Sequence, residues 1–166
     1  MSYNWESIVV SDCGYKPIAQ WVRVVDGNIP NKAIGGGQDL SGENLYVGRV
    51  EHQGDIIPGK VVPSQGICFV PYAGKEHGKS EYQVLMTDED IVWTDASYGE
   101  IPTGAIQGGV TVDGERLYIG RVKHMGAMCV GKIHPSHQVC FISFDGREFS
   151  YSLYSALCVK HIPLVH

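Results

Sequence analysis

The chain has 166 residues, 43% of them hydrophobic and 19% charged, a profile of one folded domain rather than a disordered segment. Its net charge of −5 offers no basic face for phosphates, so nucleic acid is not an expected partner. No run approaches the roughly 18 apolar residues of a membrane span, and five cysteines without CxxC spacing speak against a disulfide framework or a zinc ribbon.

The opening MSYNWESIVVSDCG lacks the basic start and apolar stretch of a secretion signal. The expectation is a cytoplasmic protein, with export by a signal-independent route left open. Residues 1–20 read as an arm in which Trp5–Val10 is strand-like, able to complete a sheet of this chain or of a neighbouring one. A first unit, 21–85, then runs through short segments rich in β-branched and aromatic residues: LYVGRVEH, PGKVV, GICFVPY and EYQVLM. Glycine and proline separate them every 8–12 residues or so, which predicts antiparallel strands and no long helix.

In LYVGRVEH, Leu45, Val47 and Arg49 share one face and Tyr46, Gly48 and Val50 the other. That alternation puts Arg49, and its counterpart Arg121, beside an apolar row, where pairing with Glu43/Glu115 or Glu76/Glu148 is the expected use. Residues 86–92 hold the acidic cluster Asp88–Asp90. Its carboxylates are consecutive, unlike the alternate-position ligands of a calcium loop, so it reads as a linker. A second unit, 93–157, and a tail, 158–166, complete the chain.

The second unit repeats the first. A shift of 72 residues aligns Trp21–Leu85 with Trp93–Leu157 without a gap. GENLYVGRVEHQG meets GERLYIGRVKHMG, and PGKVVPSQGICFVPYAGKEH meets VGKIHPSHQVCFISFDGREF. Glycines at 27, 36, 37, 42, 48, 54, 59 and 74 recur with their partners, as do Pro30/Pro102 and Pro63/Pro135. Such shared positions mark turns and bulges. Units of about 70 residues hold poor cores alone. The fold expected is therefore all-β: two tandem, pseudo-twofold-related antiparallel units packed as one body.

The pattern P-x-x-A-I-x-G-G … G-E-x-L-Y-[VI]-G-R-V-x-H-x-G … G-K … P-S … C-F … G-x-E resembles the DM-nine repeat family over Trp21–Leu157. That resemblance implies a pseudo-twofold β protein, often a homodimer, with no metal or other cofactor. It further implies a mannose-binding lectin that serves pattern recognition in innate immunity. By the same resemblance Asp39, after the glycine-rich turn, and Lys60, in the PGK turn, are the sugar contacts. The second copy keeps the lysine as Lys132 but carries Thr111 for Asp39 and Val130 for Pro58. Asp113 could replace the lost acid only if its turn were repositioned.

The chemistry is consistent. A carboxylate accepts from two hydroxyls, an ammonium donates to their oxygens, and both bonds are charge-assisted. Glycine-dense turns let a ligand approach the backbone. Glu43, Glu76 and His77 lie in the other polar blocks and are further candidates, with Tyr72, Tyr46 or Trp93 as the stacking ring. The plain alternative is that Asp39 and Lys60 form a surface ion pair worth about 0–1 kcal/mol. Cys68 or Cys140 with His52 or His124 would suit an enzyme, but both cysteines sit in apolar runs where thiols are inert. His134 and His137 have a spacing that could hold a metal but no acidic or thiol partner nearby in sequence. A rival non-catalytic reading is an intracellular adaptor or vesicle-associated factor that binds a lipid headgroup or a protein.

Overall fold

The computed structural model describes residues 19–160, so the arm expected at Trp5–Val10 lies outside the described residues. Fourteen strands follow in chain order. The first copy contributes β1 (Gln20–Val24), β2 (Gly35–Gln38), β3 (Asn44–His52), β4 (Asp55–Val62), β5 (Ile67–Tyr72), β6 (Lys75–Lys79) and β7 (Tyr82–Met86). The second contributes β8 (Ile91–Ser97), β9 (Gln107–Val110), β10 (Arg116–His124), β11 (Ala127–His134), β12 (Val139–Phe144), β13 (Arg147–Tyr151) and β14 (Leu153–Val159). A single 3₁₀ turn, Pro135–His137, is the one helical element among the described residues. Residues 91 and 92 of the acidic segment already belong to β8.

The strand order is palindromic: β1-β7-β3-β4-β5-β6-β13-β12-β11-β10-β14-β8. The halves meet where Lys75 of β6 pairs with Arg147 of β13, two residues that are each other's repeat partners. Flanking bonds are reciprocal, Glu76 N to Gly146 O at 3.0 Å and Glu148 N to Gly74 O at 3.1 Å. A pseudo-twofold axis therefore passes through this junction. Strand β9 pairs with both β10 and β4, so the ladder from β4 through β5, β6, β13, β12, β11, β10 and β9 closes on itself, as in a barrel.

Two-residue hairpins set the strand register. Gln53-Gly54 and Ala73-Gly74, with their copies Met125-Gly126 and Asp145-Gly146, all take positive φ, from 49° to 89°. That is the primed turn whose twist suits antiparallel strands, and glycine at the second position relieves its steric cost. The core has three parts. One cluster lies within each copy, around Val61, Cys68 and Val70 in the first and around Ile133, Cys140 and Ile142 in the second. The third joins Trp21, Ile34, Val47 and Leu85 to Ile106, Ile119, Val130 and Leu157. This shared cluster draws apolar residues from both copies, which is why two small units form one body.

Strand β3 is buried on both faces, so the simple alternation expected from its sequence is lost. Arg49 and Arg121 also differ from expectation. Arg49 Nε donates to Gln83 Oε1 at 2.8 Å, and its guanidinium lies 4.4 Å from the Trp21 ring centroid. Arg121 donates to Gly36 O at 3.1 Å and lies 4.1 Å from the Trp93 centroid. Glu43, Glu115, Glu76 and Glu148 are held by other groups, described below, and tryptophan faces take the cations instead. Burial lowers the pKa of both arginines, that of Arg49 to about 9.

Candidate functional site

Lys60 is positioned by a close approach of backbones. Its neighbour Gly59 pairs with Gly48 across β3–β4, and a Cβ on Gly59 would stand 2.1 Å from Phe69 O. Only glycine fits there, and it brings β5 against β4 so that Lys60 faces Phe69 in register. The ammonium is nearly buried. It donates to Ser143 O at 2.6 Å, stands 3.3 Å from Glu76 Oε2, and lies 5.6 Å from the Phe144 ring centroid. An ammonium has three N–H groups, so with one on Ser143 O it keeps donors for a further acceptor.

Asp39 occupies the turn between β2 and β3. Its Oδ1 accepts from Ser41 Oγ at 2.6 Å, Ser41 N at 2.9 Å and Glu43 N at 3.0 Å. These bonds, the Ser41 hydroxyl first, hold its pKa below the ordinary aspartate value. Oδ2 has no hydrogen-bond partner among the described residues. Asp39 and Lys60 make no ion pair with each other among the described residues, Glu76 being the lysine's carboxylate, so the plain alternative of a surface pair between them is not what the structure has.

What joins Asp39 and Lys60 is a cavity of about 190 Å³, which they line with Glu76, Phe69, Phe144 and Asp145. Phe144 and Asp145 come from the second copy, so the site straddles the pseudo-twofold junction. No pattern local to Asp39 or Lys60 marks these two residues. The signal was the shift itself, because Phe144 is the repeat partner of Tyr72, already a candidate ring. Tyr72 lies instead 5.5 Å from Lys132 Nζ, Tyr46 packs on the first-copy core, and Trp93 lies under Arg121.

The remaining candidates separate. Glu43 clamps two loops: Oε2 accepts from Ser64 N at 2.8 Å and Oε1 from Ser64 Oγ at 2.7 Å. Glu115 repeats the clamp on Ser136, at 2.9 and 2.7 Å, and adds His134 Nε2 at 2.9 Å. Burial leads in lowering the His134 pKa, against the pull of Glu115, so a neutral imidazole donates its Nε2–H. His77 stacks on His52, with centroids 4.3 Å apart, and bonds Tyr72 O at 3.0 Å. Lys132 is the repeat partner of Lys60, with its ammonium 4.0 Å from Glu148 Oε2. Cys68 and Cys140 are fully buried, and burial pushes both thiols well above the ordinary range. Among the described residues no three histidine, cysteine or acidic side chains gather as a metal-ligand group.

A larger depression of about 600 Å³ lies on the second copy, lined by Asp95, Glu100, Arg121, Lys123 and Tyr154 among others. It is bigger but lacks the convergence of a buried ammonium, a carboxylate and two aromatic rings, so the smaller cavity carries the site.

The DM9 repeat family model matches residues 8–77 and 39–151. Natterin-4 of Thalassophryne nattereri is 29% identical over 144 residues, covering 85% of this chain and 34% of that protein. Natterin-1 of the same organism is 26% identical over 147 residues, 84% of this chain and 38% of that one. The chain thus spans about a third of the length of these curated relatives. Among solved structures, the nematode sperm cell motility protein MFP2B superposes with a TM-score of 0.64 at 16% identity, over 86% of this chain and 47% of that one. That likeness is one of fold alone. Two copies of the motif in tandem, a matching family model over most of the length and an all-β architecture make this chain a member of the DM9 repeat family.

Proposed function

We propose that the protein is a non-catalytic, metal-independent carbohydrate-binding protein that prefers mannose and serves pattern recognition. The observation that carries this reading is the shared cavity of Asp39 and Lys60. Asp39 Oδ2 offers an acceptor to sugar hydroxyls and Lys60 a donor to their oxygens. Phe69 and Phe144 offer apolar surface to the C–H face. Drug-sized ligand sites span about 300–1,000 Å³; a cavity of about 190 Å³ suits a single sugar ring. Three carboxylates, Asp39, Glu76 and Asp145, line the cavity against one ammonium, which favours a neutral polyol over an anionic headgroup.

Retention on a mannose resin, with elution by free mannose, tests the reading. Asp39→Thr places the second copy's residue in the first and preserves a turn-capping oxygen, so it is expected to fold and to lose retention. Lys60→Ala is expected to lose retention too, and a chelator to leave it intact. A parent chain that passes through the resin unretained would overturn the proposal.

A further inference from the structure

Applying the 72-residue shift to the Lys60 cavity gives Lys132, Glu148, Phe141 and Thr111 from the second copy, and Tyr72 and Asp55 from the first. The structure brings Lys132, Glu148, Phe141 and Tyr72 together. Lys132 is 5% exposed, and its ammonium lies 5.3 Å from the Phe141 ring centroid and 5.5 Å from that of Tyr72. Lys60 has Ser143 O at 2.6 Å, but Lys132 makes no hydrogen bond among the described residues, and Glu148 stands 4.0 Å away. Its side chain is buried, and its ammonium keeps donors that the described residues do not take up.

The acid that the second copy lacks on its own turn arrives from the other side. Asp55 Oδ1 accepts from Val112 N at 2.8 Å, beside Thr111, which caps its turn by accepting from Glu115 N at 3.1 Å. Burial lowers the Lys132 pKa, while Glu148 and Asp55 act to raise it, so the Asp55 carboxylate lies within electrostatic reach of the ammonium. At the first site the position equivalent to Asp55 is Ala127, which lines the cavity without charge. The second site therefore takes its turn acid, Asp55, from the opposite copy, whereas the first has Asp39 from its own hairpin and Asp145 from the opposite copy. Complementary exchanges at two aligned positions, Asp39/Thr111 and Asp55/Ala127, leave each site with one acid across that pair of positions.

We propose that the chain carries a second saccharide site, centred on Lys132, with Asp55 as its crossed-over carboxylate and Phe141 and Tyr72 as its apolar walls. Resting on the lectin reading above, it makes a single chain bivalent for sugar. Two acids face one lysine and a neutral His134, so the ligand is an uncharged polyol and not an anion.

Calorimetric titration of the full chain with methyl α-mannoside tests this, with ring protons of His134 and His137 followed by NMR. The parent is expected to take two sugars per chain, and Asp39→Thr one, with the histidine signals still shifting. Asp55→Asn keeps an oxygen for Val112 N–H and removes the charge. It is expected to weaken the second site about tenfold or more and to quiet those signals. Asp55→Ala, which copies Ala127, is expected to do the same, with thermal unfolding to verify its fold. One sugar per parent chain, lost in Asp39→Thr and unaffected by Asp55→Asn, would overturn the second site and leave the first standing. A parent that binds no mannoside would overturn both.

Discussion

The two copies keep one scaffold and differ in which side supplies the polar groups. Around Lys60 and Lys132 the glycine pairs, the glutamates and the aromatic walls are shared. Glu76 and Glu148 reach across to each other's turns, Glu76 Oε1 accepting from Gly146 N at 3.3 Å and Glu148 Oε1 from Gly74 N at 3.2 Å. The differences fall on the turn residues that rim the sites. The scaffold constrains the lysine and its backbone, whereas the rim can change because a turn accepts several oxygen-bearing caps.

The scaffold half of this comparison predicts the largest effect. Gly59→Ala would place a Cβ 2.1 Å from Phe69 O, and Gly131→Ala one 1.9 Å from Phe141 O. Backbone must move in both cases, and each is expected to cost about 3 kcal/mol in denaturant unfolding. Gly42→Ala meets nothing within 4 Å but has φ +87°, so it should cost only about 1 kcal/mol. Equal costs at all three glycines would remove close approach as the reason that β4 and β5 place Lys60.

The glutamate clamps give the next effect. Glu43→Ala frees the Ser64 amide and hydroxyl, exposed groups that water re-solvates, for an expected loss of about 1 kcal/mol. Glu115→Ala frees Ser136 and also strands the Nε2–H of part-buried His134, for about 2 kcal/mol. If Glu43→Ala abolished sugar binding at unchanged stability, Glu43 would be a ligand residue and not a clamp.

These clamps show what could be read from the sequence. The repeat fixed the fold class because gapless duplication and glycine spacing are local properties of the chain. Asp39 was accessible as an acid in a turn, whereas Lys60, expected in a PGK turn, stands inside β4, and Glu76 inside β6. Phe144 and Asp55 were not, because each works in the site opposite to its own repeat, and only the β6–β13 junction and the β4–β9 pairing decide that. The arginines were misjudged for a similar reason: Trp21 and Trp93 precede them by 28 positions, and only the sheet order brings a tryptophan face over each cation.

The smallest effect tests the rim. Asp39→Thr exchanges three bonds on Oδ1 for the single bond that Thr111 makes, and is expected to cost about 0.5–1 kcal/mol at neutral pH. The cost should depend on pH with a definite sign. The Asp39 pKa is lower in the folded chain than its ordinary 3.8. The stabilisation it brings is therefore fully present above pH 3.8 and fades as the pH falls through the folded value. Denaturant curves of parent and Asp39→Thr should differ at pH 7 and draw together in strong acid. The reverse exchange, Thr111→Asp, should gain stability with the same pH dependence, because the turn hydrogen bonds Thr111 N to Glu115 O and Gly114 N to Thr111 O match those of the first copy. A reverse exchange that destabilises the chain at pH 7 would mean that Asp55, already at that rim, repels a second acid. That outcome would show that the Lys132 rim tolerates one carboxylate across these two positions, and that the two exchanged positions depend on each other.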